Sequence, residues 1–158
     1  MLPCDIIFYK RVGFINRLIS WLTKSEYTHV ALAVSDTEII EANVFVNVRR
    51  IEFDKAEKVV IKRTRYLTHE QEKIILNYVN SKLGTKYDYL TIAKKAIHLL
   101  LKRDRAIVDN DIRVYCSEIV DRAYLKAGID LVSNRVDGDV TPSDLYLSEK
   151  LIEVKMTG

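Results

Sequence analysis

The sequence predicts an α+β domain in which a mostly antiparallel sheet is packed against helices. Two patterns point there. Between Cys4 and Thr64 the apolar residues come in short runs rich in β-branched side chains and separated by turns. From Thr68 onward they recur at helical spacing, behind residues that cap helices. Composition bounds the size of the unit. A chain of 158 residues with 48% hydrophobic content can bury one core, hiding roughly 70% of its unfolded surface. Only 5 glycines and 2 prolines leave little material for a linker, so residues 1–158 are expected to form one domain.

Cys4 to Tyr9, CDIIFY, is an apolar run suited to a buried strand. Phe14, Leu18 and Trp21, with Ile15 and Ile19 beside them, have the spacing of a helix over 13–21. Tyr27 to Val34 reads as a strand. Simple alternation puts Tyr27, His29, Ala31 and Ala33 on one face, and Thr28, Val30, Leu32 and Val34 on the other. The Ser35-Asp36-Thr37 turn leads to a strand over Glu38 to Ala42. Further strands are expected around Phe45 to Ile51 and over Val59 to Thr64.

Thr68 with Gln71 forms a capping box for a helix starting at His69, whose apolar face is Ile74, Ile75, Tyr78 and Val79 and whose stop is Gly84. A second helix is expected from Tyr87 to Leu101, followed by an exposed charged loop from Lys102 to Arg113. Cys116 then opens a helix with Ile119, Val120, Ala123 and Ala127 inward, ending at Gly128. Thr141-Pro142-Ser143-Asp144 is a helix start, with an N-cap, a proline in the first turn and an acid after it.

Charge and cysteine usage narrow the function classes. Twenty-five Lys+Arg against 22 Asp+Glu give a net +3 that is well mixed along the chain, unlike the concentrated charge of a nucleic-acid binder. Arg49, Arg50, Arg63, Arg65 and Lys102 to Arg105 read as solvated faces. Two cysteines make no disulfide framework and lack zinc-site spacing, so neither metal nor cofactor is expected. MLPCDIIFYK lacks the pattern of a secretory signal, and no apolar run approaches the ~20 residues that cross a bilayer. A cytoplasmic location is therefore expected. The apolar faces of 14–22 and 89–101, with Lys and Arg nearby, suit core burial first and weak contact with a membrane surface second.

Three residues could carry chemistry. At a helix start, the Cys116 thiol would meet unpaired backbone N–H groups and the positive end of the helix dipole, which favour the thiolate. Those N–H groups could also stabilise an oxyanion. His29 interrupts the apolar strand YTHVALAV, and Glu41 lies among Ile39, Ile40 and Ala42 on the next strand, where an acid needs a partner. Taken singly, each is more often a buried small thiol, a satisfied core histidine and an edge carboxylate reaching water. Together they are the parts of a triad. The thiolate attacks a carbonyl, the histidine moves the proton and the carboxylate orients the ring. Tyr115, beside the thiol, and Tyr27, on the histidine strand, are the candidate substrate-binding residues. His69 is expected to be solvated and His98 to sit at a helix boundary.

In these residues the chain resembles the circularly permuted branch of the NlpC-type papain-like superfamily, in particular YiiX-like proteins. The family's opening Gly-Asp-apolar strand is matched by Pro3-Cys4-Asp5-Ile6-Ile7-Phe8-Tyr9, with Cys4 in place of the glycine. Its histidine motif is matched by Tyr27-Thr28-His29-Val30-Ala31-Leu32, and its acid by Ile39-Ile40-Glu41-Ala42. Its nucleophile motif is matched by Tyr115-Cys116-Ser117-Glu118-Ile119-Val120, and a closing Thr-Pro-Ser-Asp-Leu by Thr141 to Leu145. The order His, Glu, Cys is that of the permuted branch.

The resemblance implies a permuted papain-like fold with the nucleophile at a helix N-terminus. Cys116 would be the nucleophile, His29 the base and Glu41 the orienting acid of a cysteine peptidase or amidase acting on a peptide, isopeptide or related amide. A lipid-directed acyl hydrolase or acyltransferase, as in the related lecithin retinol acyltransferase proteins, is the alternative. A peptide- or lipid-binding module without turnover is a third reading.

Overall fold

The structure, a computed structural model, describes residues 1–10, 27–43, 46–55, 58–85, 105–133 and 140–155. The helices expected over 13–21 and 87–101 fall outside these residues. Six strands form one antiparallel sheet: β1 (Ile6–Lys10), β2 (Tyr27–Ala33), β3 (Glu38–Asn43), β4 (Val46–Glu52), β5 (Val59–Thr64) and β6 (Leu151–Val154), in the order β4-β3-β2-β1-β5-β6. Three described helices are α1 (His69–Ser81), α2 (Arg105–Lys126) and α3 (Pro142–Tyr146). The protein is therefore α+β. Among the described residues no helix is long and apolar enough to cross a membrane.

Local chemistry sets most boundaries. At α1, Thr68 Oγ1 accepts from Gln71 N at 3.2 Å and Gln71 Oε1 accepts from Thr68 N at 3.1 Å, closing the expected capping box. Three residues beyond α1, Gly84 takes a φ of +74°, a conformation glycine adopts without a Cβ penalty. Thr141 and Asp144 make the same reciprocal cap at α3, behind Pro142. β6 is the strand the residue pattern did not announce. Its middle residues, Ile152 and Glu153, are exposed, and it is held by its pairing with β5, from Ile61–Val154 to Thr64–Leu151.

The sheet is apolar on both faces. On one, Ile6, Phe8, Val30, Leu32, Ile40 and Val48 form the larger core with Ile75 and Val79 of α1, Val120, Ala123 and Tyr124 of α2, and Leu145 of α3. On the other, Ile7, Ala31, Ala33, Ile39, Phe53 and Ile61 make a smaller cluster. Alternation along paired strands produces this division, since Ile7 faces Ala31 and Phe8 faces Val30. Each fully buried aliphatic side chain contributes roughly 1.5–3 kcal/mol of transfer free energy. α2 packs on β2, β3 and α1, so this core fixes where Cys116 meets the sheet.

Two expectations are corrected. Lys102 to Arg113 is not a loop throughout, because α2 already begins at Arg105 and runs for 22 residues. Cys116 therefore lies in mid-helix, not at a helix N-terminus, and the dipole of a first turn does not act on it. The stretch from Arg105 to Tyr115 contains neither glycine nor proline, and charged side chains are compatible with a helix. The second correction concerns Tyr27. The ladder slips between Tyr9 and Lys10, with Tyr9 opposite His29 but Lys10 opposite Tyr27, leaving Thr28 as an extra residue. The slip breaks the alternation. Tyr27 joins the Val30 and Leu32 side, its ring stacked on Tyr146 at 4.1 Å and edge-on to Phe8 at 5.7 Å.

The opening turn is tightly held. Cys4 has φ +66°, the one positive φ of a non-glycine residue among those described. This is the position where the resembled family carries glycine. Asp5 is fully buried and accepts from Arg63 Nε at 2.6 Å, Arg63 Nη2 at 2.8 Å and Leu2 N at 2.7 Å. Tyr124 donates its hydroxyl to the Cys4 carbonyl at 2.5 Å.

Candidate active site

Cys116, Val120 and Ala123 recur at helical spacing along α2 and, with Ala127 just past its end, are all buried, so the thiol is on the helix face turned to the sheet. β2 supplies His29, just past the end of its ladder with β3, which runs from Ala33–Ile39 to Ala31–Glu41. β3 supplies Glu41 from that last pair. Ser117 is fully buried and donates its hydroxyl to the Val140 carbonyl, tying the residue after Cys116 to the segment that leads into α3.

The three side chains form a continuous chain. His29 Nε2 lies 3.1 Å from Glu41 Oε2. A carboxylate only accepts, so Nε2 carries the hydrogen and donates it. The ring also hydrogen-bonds Cys116, and Nδ1 is the nitrogen left to do so. The sulfur receives further hydrogen bonds from the backbone of Val30 and Ser117. The middle of the chain is the most open: His29 keeps 20% of its side-chain surface, against 8% for Glu41 and 8% for residue Cys116 at the two ends. The thiol is thus shielded from solvent.

Electrostatics favour separated charges. Burial opposes a charged His29, yet its hydrogen bonds to Cys116 and Glu41, and their negative charge, raise its pKa to about 10. Burial likewise opposes a thiolate at Cys116, but the hydrogen bond and positive charge of His29 prevail and lower the thiol below its ordinary value. Glu41 is lowered as well, by its hydrogen bond to His29 against burial, and then by Arg49. Both shifts favour a thiolate beside an imidazolium, and the protons belong to the pair rather than to either residue.

Two contacts were not anticipated. Arg49 of β4, directly across the ladder from Glu41, donates Nε at 2.9 Å and Nη2 at 2.6 Å to Glu41 Oε1. The Tyr9 ring lies 5.4 Å from that of His29. The registers of β3 with β4 and of β1 with β2 place both neighbours. In the sequence Arg49 is only half of an arginine pair, a pattern that suits a solvated face. Tyr27 lies in the aromatic cluster described above, and Tyr115 is in α2 with its side chain outside the described residues. Glu38 pairs instead with Arg50 at 2.6 Å, and His69 is exposed, as expected. His98 lies outside the described residues.

No known family model matches the sequence, and no curated protein sequence matches it. A solved structure does match: the crystal structure of metalloprotein YiiX from Escherichia coli O157:H7, DUF1105, with a TM-score of 0.66 and 20% identity over 98% of this chain and 96% of that one. The chain has the fold of YiiX. The agreement with the YiiX-like branch lies in that fold. That protein is described as a metalloprotein, and the donor set here does not fit an ion. Among the described residues no group of three or more His, Cys, Asp or Glu could hold one. The Glu41 oxygens are already engaged, one by Arg49 and the other by His29.

Proposed function

We propose that the protein is a cysteine hydrolase that cleaves an amide bond, in a peptide, isopeptide or related amide, through a thioester. The observation that carries this reading is the unbroken chain Cys116–His29–Glu41, with the thiol lowered and the imidazole raised. The Cys116 thiolate attacks the carbonyl carbon, and the negative charge passes to the carbonyl oxygen. The His29 imidazolium protonates the amide nitrogen, the C–N bond breaks and the amine leaves. A thioester and a neutral imidazole remain. Water then gives its proton to His29 and its oxygen to the acyl carbon, the C–S bond breaks, and the acid departs from a restored thiolate–imidazolium pair. Glu41 holds the ring so that the nitrogen facing the sulfur carries out both transfers.

In this reading the sheet and helices are a circularly permuted papain-like fold of the NlpC type, with the histidine and acid strands ahead of the cysteine helix. The fold shared with YiiX and the order of the three residues support it. The relation to lecithin retinol acyltransferase proteins belongs to the same proposal. The acyl-lipid alternative rests on the faces of 14–22 and 89–101, which lie outside the described residues.

The test is a stoichiometric thiol probe, with the labelled peptide identified by mass. Wild type should be labelled at Cys116 at neutral pH, and His29→Ala should lose most of that labelling. Equal labelling of Cys116 in the two proteins would overturn the activated thiolate.

A further inference from the structure

The geometry points to Arg49 as a positioning residue of this site, a guanidinium that holds one oxygen of Glu41 so that the other is left facing His29. The inference rests on the proposed role of Cys116–His29–Glu41 and adds a fourth member that touches neither substrate nor thiol.

Glu41 has two oxygens with different partners. Both guanidinium donors, Nε at 2.9 Å and Nη2 at 2.6 Å, converge on Oε1, while Oε2 meets His29 Nε2 at 3.1 Å. An unrestrained glutamate can turn its carboxyl group about its last torsion and exchange the oxygens or withdraw both. Two convergent, charge-assisted hydrogen bonds oppose that rotation. The backbone supports the grip, because Glu41 and Arg49 are register partners of β3 and β4 and share a sheet face. Their exposures differ in the manner of a clamp: 45% of the Arg49 side chain reaches solvent against 8% for Glu41. Arg49 thus stands at the rim and acts inward.

The charged groups around Glu41 among the described residues are His29 from β2 and Arg49 from β4, with Cys116 of α2 on the far side of the ring. Arg49 also balances the charge of Glu41.

The experiment is a double-mutant cycle on the pH profile of Cys116 alkylation by iodoacetamide, read peptide by peptide. Arg49→Gln should move the acid limb upward by about one pH unit, a tenfold slower reaction on that limb. In a Glu41→Gln background the same substitution should move it little, because Arg49 acts through Glu41. Arg49→Lys, which keeps the charge but not two convergent donors, should fall between wild type and Arg49→Gln. It also serves as the test if Arg49→Gln does not fold. An unmoved limb in both Arg49 variants, or an equal shift with and without Glu41, would overturn the positioning role. Failure of the underlying site looks different: wild-type Cys116 would itself titrate as an ordinary thiol.

Discussion

Cys4 and Cys116 are both outside any disulfide, both buried, and both members of the larger core cluster, yet they have opposite chemistry. Burial, reinforced by the charges of Glu72 and Asp5, pushes the Cys4 thiol up to about 12. Burial pushes Cys116 in the same direction, and a hydrogen-bonded imidazole reverses it. The nearest partner recorded for the Cys4 sulfur is a carbonyl, Glu72 O at 3.9 Å, which cannot stabilise a thiolate. The lesson is that a core position makes a thiol inert unless a cation-forming partner enters the core with it. His29 can do so because Glu41 and Arg49 stand behind it.

The largest expected effect is the difference between the two thiols. With Cys4 at about 12 and Cys116 below its ordinary 9.0, their thiolate fractions at neutral pH differ by at least about a thousandfold, tenfold for each pH unit. A short iodoacetamide pulse followed by peptide mass mapping should therefore modify Cys116 alone in the native protein, and both cysteines equally in denaturant. Comparable native labelling would erase the contrast.

Next comes the imidazole. The His29 ring protons should titrate near 10 by NMR in wild type, and in Cys116→Ala should titrate far closer to the ordinary 6.5. A histidine raised on folding stabilises the native state fully below its unfolded pKa. That contribution declines from about 6.5 upward and is gone once pH passes about 10. The lowered Cys116 works in the opposite sense, its contribution being complete above 9.0 and lost as pH falls through its folded value. The two describe one ion pair, so over the shared range they offset. Wild-type urea stability should accordingly fall as pH rises from 9 to 10, where the thiolate contribution is complete and the imidazolium is being lost. A stability that rises over that interval would contradict the pair.

Much of this contrast was legible in the residues, and the illegible part has a common cause. His29 and Glu41 could be picked out because each places a polar side chain in an apolar strand, a local signal. The capping boxes at Thr68 and Thr141 are local too, each closed within one turn. The start of α2 is not legible, since it falls inside the charged stretch from Lys102 to Arg113, which resembles a loop. Tyr27 was assigned to the wrong face because the ladder slip at Thr28 depends on pairing with β1, which alternation along a single strand does not register. Arg49 escaped notice for the same reason: its significance lies in which residue faces it across β3 and β4. Cross-strand register is therefore what the residues hide, and periodicity and composition are what they show.

The Cys4 end of the comparison should respond to mutation as structure alone. Tyr124→Phe removes the hydroxyl donated to the Cys4 carbonyl and leaves that buried acceptor without this donor. A loss of about 1–2 kcal/mol in urea unfolding is expected, with Cys116 alkylation unchanged. A fall in Cys116 reactivity would show that the two regions are coupled through α2.

The smallest effect is the most pointed one, because it separates the backbone of Cys4 from its sulfur. At φ +66° a side chain costs roughly 1–2 kcal/mol relative to glycine, whatever that side chain is. Cys4→Ala keeps the strain and loses the buried sulfur, so it should be less stable than wild type. Cys4→Gly loses the sulfur but releases the strain, and the two terms nearly offset. Glycine gains flexibility in the unfolded chain, which takes back about 0.4–1 kcal/mol. Cys4→Gly should still unfold at the higher urea concentration of the two variants, by about 1 kcal/mol or less. Were alanine the more stable replacement, the positive φ would not be what distinguishes this position. The sulfur would then be held for its packing, and Cys4 would be a core residue in its own right rather than a cysteine standing where the turn favours glycine.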